Sequence, residues 1–323
     1  MKLTPIERSD KVECFCIIKN LDKKTTVKGD TYLDMTIGDK EGDMNAKVWG
    51  YTPEEYGVYT AGDIVKIRGN VVDFKGAKQL RVDRIRHTLE SDNIEASDLV
   101  RSAAFEPSIM YNELIRIAEG FSDNDIKNIV IAIYTDYKEK LLFWPAAYKL
   151  HHAIRGGLLM HTLSIVRLCE SVCAIYPFLD RELLIGGAML HDIAKIKEYD
   201  VNSAGTAEKY SIVGNLLGHI SMGAEIVGEY AKKTGADERC EILLKHMILS
   251  HHGQPEFGAA VRPMIMEAEI LSELDLMDAR LYEMKEALSG AEKGEFTSPV
   301  WALENVKLFN HGRKDSDMDP KLI

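Results

Sequence analysis

The apolar residues of this chain change their spacing once, near residue 90, and that single change limits the folds open to it. Over residues 11–87, apolar and polar residues alternate in short runs: KVECFCIIKN, YLDMTIGD with Leu33, Met35 and Ile37 in step, NAKVWGY, DIVKIRGNVVDF and KQLRVDRIRH. Successive strand side chains point to opposite faces, so the alternation marks half-buried strands. The turn sequences KGD, DKEGD, AGD and KGAK separate the runs. Roughly five strands in about 80 residues predict a small barrel. From about residue 95, ASDLVRSAAF, YNELIRIAEGF and DNDIKNIVIAIYTDYKEKLLFW carry apolar residues at helix spacing, with Ser122 ahead of Asp123 and Asp125 as a helix start. The helical pattern runs on to about residue 289, broken at Pro177, Gly205, Gly214, Gly235 and the 253–263 loop. The expected fold is multidomain α and β: a β-barrel module over 1–90, a helical connector over 91–145, an all-α domain over 146–308 and a polar, loosely held tail over 309–323.

Charge narrows the partners. The chain carries a net −11, which speaks against a strong nucleic-acid binder as a whole. Residues 1–90, however, hold 16 Lys and Arg against 15 Asp and Glu, and the remainder 24 against 36. The barrel is therefore the place for a polyanion surface, and the acidic remainder suits bound divalent metal. No run is read as approaching the roughly 18–20 apolar residues that span a bilayer. MKLTPIERSD lacks the apolar core and cleavage site of a secretory signal, so a cytoplasmic protein without membrane attachment is expected. Five cysteines, an odd count with no CxxC pair, read as reduced thiols; Cys169 and Cys173, four apart on a helical stretch, read as buried core.

Eight of the ten histidines fall between residues 151 and 252. The adjacent pair His191-Asp192 is the central clue. A neutral imidazole binds one metal ion, whereas the two oxygens of a carboxylate can bridge two. The segment ELLIGGAMLHDIAKI is apolar nearly all round, so its helix is expected to be buried. A buried ion without a partner costs several kcal/mol, and a metal supplies that partner. His161 lies in GGLLMHT, and His251 and His252 in SHHG. His251 shares a helix face with Leu244, Met247 and Ile248; His219 opens a helix after LLG, free to point inward. His246 reads as a surface or structural residue. On EAEILSELDLMDAR, Asp275 and Asp278 compete for one inward role, with Asp275 favoured.

The order His161, His191-Asp192, His219, His251-His252, Asp275 resembles the signature of the HD superfamily of metal-dependent phosphohydrolases. The segments HHAIRGGLLMHT, HDIAKIKEY, LLGHI, LSHHGQPEFGA and AEILSELDLMDA resemble more narrowly the YhaM-type 3′–5′ exoribonucleases, which join an N-terminal OB-fold to a C-terminal HD domain. The resemblance covers nearly the whole chain. It implies that His161, His191, Asp192 and Asp275 hold one metal ion, and that Asp192 bridges to a second held by His219, His251 and His252. It also implies divalent transition metals, manganese among them; imidazole and carboxylate ligands suit Mn, Fe, Co or Ni about equally, with Mg a further candidate. Ala194 stands where HD proteins often have Gly, a mild departure on a packed helix.

The implied chemistry is phosphodiester hydrolysis by a metal-activated water. Asp192 and Lys195 are the catalytic candidates, Lys195 lying one turn after His191 with reach to a phosphate. Lys149, His151, His152 and Arg155 form a basic cluster, KLHHAIR, expected to contact substrate, because in the resembling family this segment stands beside the site. On the barrel, which resembles an OB-fold more loosely, Tyr32, Trp49 and Phe74 are candidate stacking platforms. Lys47, Lys66, Lys75, Lys78, Arg81 and Arg84 are its basic candidates, with Trp49, Lys75 and Lys78 the residues selected for substrate binding. The reading is a 3′–5′ exoribonuclease acting on single-stranded RNA, with single-stranded DNA a further substrate and a homo-oligomer an open possibility. Two other readings compete: an HD-type nucleotidase or cyclic-nucleotide phosphodiesterase, which needs no barrel, and a non-catalytic RNA-binding adaptor, which needs no metal.

Overall fold

A computed structural model describes residues 11–40, 42–74, 77–94, 96–99, 103–148, 154–202, 205–315 and 318–323. The chain divides into two compact units. One comprises residues 1–102 with 201–208; the other comprises residues 103–200 and 209–323.

The first unit is a closed barrel of five strands: β1 Lys11–Thr25, β2 Thr31–Gly38, β3 Asp43–Trp49, β4 Ile64–Phe74 and β5 Ala77–His87. The strand order is β1-β2-β3-β5-β4, closed by pairing of β1 with β4; all neighbours are antiparallel except β3 and β5. This is the OB-fold topology. The long strand β1 makes closure possible. Its first half pairs with β4 and its second with β2, and a register shift between Ile18 and Asn20 bends it from one partner to the other. The alternation read from the sequence fills the interior: Val12, Cys14, Cys16 and Ile18 from β1, Leu33, Met35 and Ile37 from β2, and Ala46 and Val48 from β3 are buried together. Each large aliphatic side chain so buried contributes about 1.5–3 kcal/mol.

The second unit is helical. Its main helices are α1 Pro107–Glu119, α2 Asn124–Asp136, α3 Gly157–Ile175, α4 Arg181–Leu190, α5 Ile212–Thr234, α6 Glu238–Ser250 and α7 Met266–Ser289. The buried helix α4 lies among α2, α3, α6 and α7. Small residues allow that approach: a Cβ added to Gly186 would stand 2.7 Å from the Ile126 side chain. Capping fixes where α4 begins. Asp180 accepts from the N–H groups of Glu182 and Leu183, and Glu267 on α7 accepts from the Asp180 N–H at 2.8 Å.

Three sequence expectations change. Contrary to the expectation that no run comes close, helix α3 has the length and apolar composition of a membrane span. It instead serves as a core helix, with Leu158, Leu159, Leu163, Ile165 and Val166 all buried. The C-terminal tail is docked rather than loose: Leu322 is buried, its carbonyl accepts from Arg167 Nε at 2.8 Å, and Asp319 pairs with Lys285 at 3.0 Å. Of the two cysteines assigned to the core, Cys169 is buried but Cys173 only half-buried.

Candidate metal centre

The His-Asp pair is not within a helix, as its apolar surroundings suggested, but just past one. Helix α4 ends at Leu190, and His191–Ala194 continue as a turn into the one-turn helix Lys195–Glu198. There the backbone tightens, with Ile193 and Lys195 donating to the carbonyls of Leu190 and Asp192. His251 and His252 occupy the same kind of place: α6 ends at Ser250, and Gly253, at φ 71, turns the chain away. Both pairs thus stand at helix C-termini, where the peptide dipoles favour a cation. His219 is placed by a break in α5. Gly218 takes φ 69 and ψ 160 inside that helix, a conformation essentially confined to glycine, and His219 starts the second segment.

The ring orientations follow one rule. Carbonyl and carboxylate oxygens only accept, so each ring nitrogen facing one carries the proton. Nδ1 of His191 donates to the Ala188 carbonyl at 2.8 Å, that of His251 to Ile248 at 2.7 Å and that of His252 to Phe257 at 3.0 Å. Nδ1 of His219 donates to Glu198 Oε1 at 3.0 Å, and Nδ1 of His161 to Asp278 Oδ2 at 2.8 Å. All five histidines therefore turn Nε2 toward a common centre, as outer partners orient metal-binding imidazoles.

Asp192 lies between two groups of these atoms. Its Oδ2 is 3.3 Å from His191 Nε2 and 3.6 Å from His161 Nε2. Its Oδ1 is 3.5 Å from His219 Nε2 and 3.9 Å from His251 Nε2. Asp275 Oδ1 stands 3.1 Å from His161 Nε2, on the inward side of that ring, whereas Asp278 holds the outward side. His161, His191 and Asp192 form one set of three close ligand atoms, and His219, His251 and His252 a second.

The donor set fits a divalent metal. Asp192 Oδ1, His219 Nε2 and His251 Nε2 are buried with no hydrogen-bond partner among the described residues, and a buried polar atom left so costs about 1–3 kcal/mol. Burial opposes the charge on Asp192, yet Lys195, whose Nζ lies 2.6 Å from Oδ2, and His191 hold its carboxyl well below the usual range. Burial likewise opposes charging His161, but Asp275 and Asp278 on its two nitrogens more than offset this, so positive charge is favoured beside the ring, and a metal ion at Nε2 would supply it in place of a proton. Burial pushes His251 well down, so its Nε2 lone pair stays open.

This cluster floors a cavity of about 650 Å³, bordered by Lys195, Tyr199, Tyr210, Phe257, Glu269 and Trp301 among others. Of the basic residues expected at its mouth, Lys149, His151 and His152 lie outside the described residues, as does Lys75 on the barrel. Arg155 lies with its guanidinium 5.7 Å from the Phe143 ring centre. His246 is structural, its Nε2 accepting the Met264 N–H at 2.9 Å. On the barrel, Tyr32 and Trp49 are directly opposed across β2 and β3 and stack at 4.6 Å, with Lys47 Nζ 5.2 Å from the tyrosine ring and 6.0 Å from that of Phe74. Trp49, Phe74 and Lys78 are exposed. Glu198 is the chief residue that sequence reading passed over: a lone acid in KIKEY carries no spacing signal, and only the break at Gly218 brings His219 to it.

The helical unit and its histidine-aspartate cluster define an HD-domain protein, and the HD domain family matches residues 158–280. Divalent-metal dependence goes with that domain and with the cluster. The 3′–5′ exoribonuclease YhaM of Listeria monocytogenes is 33% identical over 309 residues, 96% of this chain and 98% of that protein. The YhaM of Shouchella clausii is 34% identical over 298 residues, 92% of each chain. The chain belongs to the YhaM family. Among solved structures, the second OB-fold domain of replication protein A from Methanococcus maripaludis aligns with 27% of this chain and 92% of its own length, at 14% identity and a TM-score of 0.23.

Proposed function

We propose that this chain is a divalent-metal-dependent 3′–5′ exoribonuclease that removes nucleoside 5′-monophosphates from single-stranded RNA, with single-stranded DNA as a lesser substrate. The carrying observation is the position of Asp192, whose two oxygens face separate sets of inward-turned Nε2 atoms. That arrangement favours two ions: one held by His161, His191, Asp192 and Asp275, the other by Asp192, His219, His251 and His252. Manganese is our choice among the divalent metals that imidazole and carboxylate ligands suit. When bound, such ions supply an activated water and neutralise charge on the phosphate being cleaved.

The residues of the chain do the rest. Asp278, Glu198 and three backbone carbonyls fix the rings before substrate arrives, so little reorganisation is left for binding. Lys195 balances Asp192 from the cavity wall and is placed to meet a phosphate oxygen once that carboxylate engages metal. The barrel supplies a stacking surface, Tyr32 and Trp49, flanked by Lys47, the combination with which OB-folds hold single strands. Family membership favours this reading over a nucleotidase or an adaptor. The test is 5′-labelled single-stranded RNA incubated with the protein and Mn²⁺. A ladder shortening from the 3′ end is expected, lost in Asp192→Ala; an unshortened strand with the wild type overturns the proposal.

A further inference from the structure

Two of the most exposed large side chains of the helical unit border the metal cavity: Trp301 keeps 76% of its surface open and Phe257 72%. Neither is a misplaced core residue. Trp301 sits at the tip of an arm whose sides are joined by the bridges Phe296↔Phe309 and Val300↔Val306. The tip is closed by Glu304 and Asn305 in left-handed conformation, and two residues from the tryptophan Leu303 is 2% exposed. One short turn thus buries its leucine and displays its tryptophan. Phe257 is fixed in a different way: its carbonyl accepts from His252 Nδ1, so the backbone that orients an inward-facing imidazole also carries the exposed ring.

We propose that Trp301, with Phe257, forms a base-stacking subsite for the 3′-terminal nucleotide, a role that rests on the exoribonuclease reading. An enzyme cutting at the last phosphodiester must hold one nucleotide beyond the scissile bond. A cavity of about 650 Å³ with the histidine-aspartate cluster at its floor has room for a nucleotide. Every base has a π-face, so stacking holds any terminal nucleotide, as degradation without sequence preference requires. Water leaves both the ring and the base on contact, which gives the displayed tryptophan its use.

The test compares single-stranded RNA ending in adenosine with the same strand ending in an abasic ribose, using the full chain with Mn²⁺. Losing the terminal base is expected to raise KM about tenfold for the wild type and less than twofold for Trp301→Ala, with kcat little changed; Trp301→Phe restores the discrimination. Equal discrimination by wild type and Trp301→Ala overturns the proposal. A second readout needs no turnover: adenosine 5′-monophosphate should quench tryptophan emission of the wild type, ribose 5-phosphate should not, and the quench should vanish in Trp301→Ala although Trp49 and Trp144 remain. A quench that survives in Trp301→Ala counts against the subsite. Absence of RNA hydrolysis by the wild type would defeat the exoribonuclease reading, and the quench would still decide the stacking.

Discussion

Glu198 accepts both the backbone N–H and the ring Nδ1–H of His219 on one oxygen, each at 3.0 Å. One buried carboxylate thereby fixes the ring and the chain direction just after the break at Gly218. Glu198→Gln keeps the size but removes the charge that raises imidazole basicity. Its Mn²⁺ affinity is expected to fall about 10–100-fold, the usual cost of losing an outer partner. Calorimetric titration of the chelator-stripped protein measures this, and wild-type affinity in the variant would contradict the assignment.

Asp275 and Asp278 lie one turn apart on α7 and serve opposite nitrogens of His161. Asp275→Asn should lose a bound ion outright and with it nearly all RNA hydrolysis. Asp278→Asn should keep the ion but bind it about 10–100-fold more weakly. Elemental analysis of both variants after dialysis against limiting Mn²⁺ separates the roles; equal metal content in the two would refute the distinction.

Tyr32 and Trp49 stack on the outer face of β2 and β3. Stacking a base is worth about 1–3 kcal/mol, so Trp49→Ala should weaken binding of single-stranded RNA about five- to hundredfold. Because Trp49 is exposed, the melting temperature and the metal content should hold. Fluorescence anisotropy with a labelled oligonucleotide reads the affinity, and an unchanged Kd would remove this face from the RNA path.

A separate prediction concerns acid stability. Arg116 and Arg167 beside Glu113, the latter at 2.5 Å, hold its carboxyl at about 2. The folded value lies below the ordinary 4.5, so the stabilisation is complete above pH 4.5 and is lost as the pH falls toward 2. The pairs are partly solvated, which limits their worth to below about 1 kcal/mol. Glu113→Gln should therefore lower stability near neutral pH and narrow its gap to the wild type between about pH 4.5 and 2. Urea unfolding across that range shows whether the two curves converge; parallel curves would remove Glu113 from the effect.

The sequence by itself determined the two kinds of architecture and most of the chemistry. Side-chain alternation has a period of two and helix packing one of 3.6, so burying apolar residues favoured a strand-built unit before residue 90 and a mainly helical one after it. The histidines and aspartates announced themselves because such groups on apolar helices need a partner that a hydrocarbon core does not provide. Tertiary structure alone decided which side of each ring faces inward. The pattern along α7 favoured Asp275 over Asp278 for one inward role, but that both serve His161, on opposite nitrogens, follows only from α3 setting that ring between them. Glu198 and Trp301 had no periodic signal at all: one gains its role from a single glycine-allowed break in α5, the other from an arm closed by two left-handed residues. Periodicity reports which face of an element is buried, whereas a site depends on where separate elements end, and those positions are fixed by packing between segments far apart in sequence.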